Sequence, residues 1–123
     1  VTTSRFHLTL PAQTANLQLV RLMVATLASD LLSVAEIEDI KVAIEELTAV
    51  TIQPSEGGAN LHLDFLVATG SLTVHGRREL PENVQLVAHD FLSTILEAVC
   101  DSHELSTEPG VGTFQFVKHA RGR

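Results

Sequence analysis

The stretch NLHLDFLVATGSLTVHGRREL, residues 60–80, decides how this chain folds. Apolar and polar residues alternate on both sides of Thr69-Gly70, which is the pattern of two strands joined by a two-residue turn. Pairing across that turn puts Leu63, Phe65, Val67, Leu72 and Val74 on one face and His62, Asp64, Thr73 and His75 on the other. A hairpin with one apolar face must lay that face on another layer, so the flanking sequence has to supply helices or a second sheet.

It supplies helices. Upstream, Ser33 followed three residues later by Glu36 is a capping-box signature, and Ile37, Ile40, Ile44 and Leu47 continue at helical spacing until Pro54 and Gly57-Gly58. An earlier helix is predicted over 14–31 from Leu17, Val20, Val24, Leu27 and Leu31. Leu19, Leu22 and Met23 lie off that stripe, as in a helix that meets two layers or another chain. The segment RFHLTLPA ahead of it alternates Phe6, Leu8 and Leu10 and stops at Pro11, a short strand. Downstream of Pro81 a third helix is predicted over 82–99, with Val84, Val87, Phe91, Ile95 and Val99 as its inner stripe. DSHELST and GTFQFVKHA then read as two strands across the turn EPGVG. The order β-α-α-β-β-α-β-β predicts an α+β fold. It is a two-layer α/β sandwich whose mixed, mostly antiparallel sheet is covered on one face by three helices, in a single domain over 1–123.

Composition narrows the function. With 123 residues, 45% of them apolar, the chain can bury a core without disulfides or metals. A formal charge of −7 with eight scattered Lys and Arg argues against direct nucleic-acid binding, and an electrostatic partner would be basic. The single cysteine, Cys100, sits in an apolar helical context and reads as a buried thiol of a reducing cytoplasm. No apolar run reaches the length of a membrane span, and the start VTTSRFHLTL lacks the profile of a signal peptide.

Several constellations have two readings. His62, Asp64 and His75 could share a metal on the open face of the hairpin, or form an ordinary cross-strand surface pair. Arg77-Arg78 could grip a phosphate, but a solvated loop is the simpler reading. No serine stands in a glycine-flanked elbow, and EPGVGT lacks the lysine and length of a phosphate loop. Glu45 and Glu46 are either a solvated helix face or a catalytic pair; Val50, one turn after Glu46, offers no oxygen to a metal.

Three segments, taken in order, resemble the RsbW-type anti-sigma factors, the serine-kinase branch of the GHKL ATPase superfamily. EIEDIKVAIEELTAVTI (36–52) resembles their second helix, which reads E-x-x-x-N after an apolar approach. TANLQLVRLMVATLAS (14–29) resembles their first helix, with Asn16 and Arg21 at matching places. FLSTILEAVCDSHELSTEPGVGTFQFVKH (91–119) resembles their closing helix and hairpin, where Gly112-Thr113 opens the last strand.

The resemblance implies a histidine-kinase-like ATPase fold. It puts Glu46 at the place of the base that activates the attacking hydroxyl, and Val50, Gly76, Gly112 and Thr113 at nucleotide-site positions. It also gives Asn16 and Arg21 to the partner-binding surface. The chain departs from the family where nucleotide is held. Val50 replaces the Mg²⁺-ligating asparagine, the D-x-G-x-G motif whose aspartate recognises adenine is reduced to Gly76 in VHGRREL, and the lid is shortened to ELPENVQ. Phosphoryl transfer depends on metal neutralising the phosphates, so a competent kinase is not expected. The resemblance thus implies a cytoplasmic, homodimeric anti-sigma factor that sequesters a sigma factor and is countered by a STAS-type anti-anti-sigma partner. No cofactor is expected, and ATP with Mg²⁺ only in a site of altered form. The alternative is an active ATP-dependent serine kinase that phosphorylates its antagonist.

Overall fold

The computed structural model describes residues 3–55 and 58–121. Gly57, half of the expected Gly57-Gly58 helix stop, lies outside the described residues. The strands are β1 (Ser4–Pro11), β2 (Asn60–Ala68), β3 (Ser71–Glu79), β4 (Ser102–Glu108) and β5 (Val111–His119). The helices are α1 (Leu17–Ala28), preceded by a 3₁₀ turn at Thr14–Asn16, α2 (Val34–Ile52) and α3 (Leu92–Val99). The sheet order is β1-β2-β3-β5-β4, and every pairing within it is antiparallel.

The hairpin forms as its alternation predicts. Ala68 pairs with Ser71 across Thr69-Gly70, and Gly70 takes φ +78°, a left-handed conformation that glycine adopts without a steric penalty. Leu63, Phe65, Leu72 and Val74 are buried against the helices. The second hairpin turns at Pro109-Gly110, with Glu108 opposite Val111, so β5 begins inside the expected EPGVG turn. The two hairpins clasp each other. The Leu80 N–H donates to the Gly110 carbonyl at 2.9 Å, and the Ala120 N–H to the Gly70 carbonyl at 2.8 Å.

Ser33 caps α2 with both bonds of the capping box: its hydroxyl accepts from the Glu36 N–H, and the Glu36 carboxylate accepts from the Ser33 N–H at 2.8 Å. Ile40, Ala43, Ile44 and Leu47 then bury the inner side of α2 completely. Its far end is held by a buried cation. Arg78 is wholly inaccessible to solvent, and its guanidinium donates to the Thr51 and Ile52 carbonyls at 2.9 and 2.7 Å. These are carbonyls that the last turn of a helix leaves without an intrahelical partner. Lys118 does the same for α3, donating to the Val99 carbonyl at 3.0 Å while pairing with Asp39 of α2 at 3.2 Å. The solvated loop expected at Arg77-Arg78 is therefore incorrect. Both residues belong to β3, with Arg77 exposed and Arg78 facing the core.

The third helix also differs from expectation. It starts at Leu92, and its buried residues are Leu92 and Leu96, while Val87 and Phe91 are 73% and 70% exposed. Residues 81–91 instead run as an irregular strap. Leu86, which lies off the expected stripe, packs on the Gly112 backbone, and its N–H donates to Thr107 Oγ1 at 3.0 Å. Burying Leu86 on β5 fixes the strap to the sheet in a way that a helix begun at Glu82 would forgo.

Two glycines are occupied by neighbours. A Cβ on Gly76 would fall 2.2 Å from the Phe114 ring on the adjacent strand. Gly76→Ala should therefore lower stability by about 1–3 kcal/mol through overpacking. Urea unfolding checks this, and Phe114→Leu in the same chain should restore part of the loss. The C-terminal edge gives a second test. Glu36 accepts from the Arg121 N–H, and Asp101 accepts from the His119 N–H and pairs with Arg121. Hydrogen bonding to Ser33 holds the Glu36 carboxyl below its usual range, and the bond from His119 does the same for Asp101. A lowered folded-state pKa contributes stability above the unfolded value and loses it as pH falls toward the folded one. Urea midpoints should thus drop as pH falls below about 4, and Glu36→Gln with Asp101→Asn should flatten that slope.

Candidate functional site

The adjacent carboxylates of α2 diverge. Successive residues of a helix point about 100° apart around its axis, so Glu45 and Glu46 meet different neighbours. Glu45 turns to α1 and pairs with Arg21 Nε at 3.3 Å, while the Arg21 guanidinium also donates to Gln18 at 3.2 Å. Glu46 turns to the strap and meets His89 Nε2 at 3.0 Å. The other ring nitrogen of His89, Nδ1, accepts the Phe91 N–H at 3.2 Å. That acceptor role assigns the remaining proton of a neutral ring to Nε2, which donates to Glu46. The pair is thus neither bare wet face nor a joint acidic centre. Each carboxylate ties α2 to a different neighbour.

One turn on from Glu46, Val50 is buried and forms a wall of a cleft. The cleft lies between the end of α2 and the strap, holds about 470 Å³, and is lined by Val50, Gln53, Pro54, Val84, Gln85, Val87 and His89. Val50 contributes only methyl groups, so the position offers a cation no ligand.

The other expected site residues are dispersed. Gly76 lies under Phe114, and Gly112 under Leu86 and Leu80, so both serve close packing here. Thr113 alternates to the opposite side of β5 from Gly112, in register with Arg77 and Ser106 on the face without helices. Asn16 donates from its side-chain amide to the Pro11 carbonyl at 2.7 Å, which fixes the passage from β1 to α1. Arg21 is partly exposed on α1, held by Glu45 and Gln18.

On the open face, Asp64 stands opposite His75 in register, as expected, but its carboxylate takes His7 Nδ1 at 2.6 Å. His7 Nε2 meets Thr9 Oγ1 at 3.0 Å, and His62 Nδ1 meets the same hydroxyl at 3.2 Å. His7, Thr9, His62 and Asp64 already have hydrogen-bond partners, and among the described residues no group of three or more His, Cys, Asp or Glu could hold a metal ion. Cys100 is buried, donates its thiol to the Leu96 carbonyl at 3.0 Å, and is pushed up to about 11 by desolvation. A thiol so protonated at neutral pH is a poor nucleophile.

The sequence reading missed the anchoring role of Arg78 and missed His89 altogether. Arg78 was legible in principle, because it continues the inner alternation Leu72, Val74, Gly76. His89 carried no signal, since its contact with Glu46 exists only once the strap is irregular.

No family model matches the chain, and no curated protein matches it. Among solved structures it is similar to the crystal structure of the RsbU and RsbW domains of Rv1364c from Mycobacterium tuberculosis. The TM-score is 0.70 at 16% identity, over 94% of this chain and 32% of that one. The chain spans about a third of that structure's length, and what the two share is the fold.

Proposed function

We propose that this chain works by capture: it binds and sequesters an RNA polymerase sigma factor and is displaced by a STAS-type anti-anti-sigma partner, without phosphoryl transfer. The observation that carries this reading is the state of α2. Val50 presents methyl groups where a metal ligand would be needed, and Glu46, at the place of a base, is engaged by His89. The likeness of fold to a structure containing an RsbW domain supports the partner class that the family resemblance implies.

We assign the capturing surface to α1 around Arg21, with Asn16 holding the start of the helix in place. A homodimer belongs to the same proposal. Leu19 and Leu22 of α1 are 50% and 55% exposed, and with Leu8, Met23 and Thr26 they border an apolar depression beside the edge strand β1. Among the described residues no helix is long and apolar enough to cross a membrane; a cytoplasmic site, where a sigma factor is met, belongs to the same proposal.

Arg21→Glu would set a second carboxylate beside Glu45 and invert the charge offered to the partner. Capture of the cognate sigma factor should weaken about tenfold or more, read by immobilised-partner binding, with only a small drop in thermal midpoint from loss of the exposed Arg21–Glu45 pair. Unchanged capture would remove α1 from the interface.

The alternative kinase reading draws on the cleft beside Glu46. Calorimetry with ATP and Mg²⁺ separates the two. Under the capture reading no binding heat is expected, whereas heat that disappears in Glu46→Ala would establish a working nucleotide site.

A further inference from the structure

The cleft between α2 and the strap has the size of a small-molecule site, at about 470 Å³. Its chemistry is specific. Val50, Pro54, Val84 and Val87 give apolar walls, and Gln53 and Gln85 contribute one carboxamide from each side. Among the described residues no Lys or Arg lines it, and Glu46 pairs with the lining residue His89. An anionic ligand would lose its hydration, find no counter-charge and sit close to a carboxylate. Arg77 is exposed on the face without helices, and the other features that could receive phosphate are already engaged. Arg78 is buried against the end of α2, and the Gly112 backbone is covered by Leu86.

Apolar walls with one glutamine at the end of α2 and one on the strap suit a different ligand. Each carboxamide offers a donor and an acceptor side by side, the complement of a ring amide edge. We infer that the cleft binds a small uncharged heteroaromatic molecule bearing ring amide groups. The ring lies between the valines and Pro54, and its C=O and N–H edges meet Gln53 and Gln85. Such a ligand bridges α2 and the strap and holds the strap in place.

Lumichrome is a suitable probe, being planar, uncharged, fluorescent and equipped with ring amide groups. The chain contains neither Trp nor Tyr, so the probe's signal is read without protein background. Lumichrome titrated against the full chain should show saturable binding, with uracil competing at higher concentration. Gln53 and Gln85 are both exposed, so Gln53→Leu with Gln85→Leu should keep the thermal midpoint while weakening binding about tenfold or more. Val87→Trp, also at an exposed position, should fill the cleft and abolish binding. Three results would overturn the inference: no saturable binding of lumichrome or uracil up to the millimolar range, equal binding by the double variant, or tighter binding of ATP with Mg²⁺ than of lumichrome. The experiment uses no sigma factor, so either of the first two results leaves the capture proposal standing, whereas tight binding of ATP with Mg²⁺ would count against both.

Discussion

A guanidinium buried beneath a helix must find acceptors, and Arg78 finds them in the last carbonyls of α2. An unpaired buried charge would cost several kcal/mol. The end of α2 is therefore confined to the place on the sheet where its carbonyls reach Arg78, with the negative end of the helix dipole over the positive charge. Burial pulls the pKa of the guanidinium down, yet arginine stays charged across the physiological range, so the anchor does not switch with pH. Everything on the last turns of α2 inherits this fixed position, including the wall made by Val50 and the approach of Glu46 to the strap. Lys118 repeats the device on β5, and because it also meets Asp39, it ties α3 to α2 as well as to the sheet.

The acidic pair takes its meaning from that placement. Two neighbouring carboxylates on a helix invite a reading as a joint centre, but the helix sends them to different sides. Glu45 joins α2 to α1 through Arg21, on the surface assigned to partner capture. Glu46 joins α2 to the strap through His89, at the edge of the cleft. One helix thus connects the Arg21 face of α1, proposed for capture, with the cleft beside the strap, and the two features are neighbours in the fold although their chemistry differs.

Much of this was legible in the sequence, for identifiable reasons. The hairpin at 60–80 announced its register through strict alternation around Thr69-Gly70, and Ser33 with Glu36 marked the start of α2 through a purely local pair of bonds. Features set by distant partners were not legible. The spacing of Val84, Val87 and Phe91 suits a helix, but Leu86 finds a better place on Gly112, and that glycine lies on a strand formed much later in the chain. The cluster on the open face was half legible. Asp64 and His75 stand in the expected register, but the imidazole that Asp64 binds belongs to His7, and only the pairing of β1 with β2 brings it there. For the candidate site, spacing alone showed that the residue one turn after Glu46 offers a metal no oxygen, and the resemblance made that a replacement, whereas the pairing of Glu46 with His89 required the strap.

The clasp between the two hairpins bears on how the domain assembles. Each hairpin closes through a two-residue turn, so its own pairing is between residues near in sequence and can form early. The seam between β3 and β5 is the long-range step of that four-stranded unit, and it is bolted at both ends by a turn carbonyl that accepts an N–H from just beyond the other hairpin. Neither bolt can close without proper alignment of the whole seam, because a shift of one residue would break both and turn every side chain to the wrong face. The turn glycines Gly70 and Gly110 therefore act twice, first in nucleating their own hairpins and then as a register check on the joining of the two.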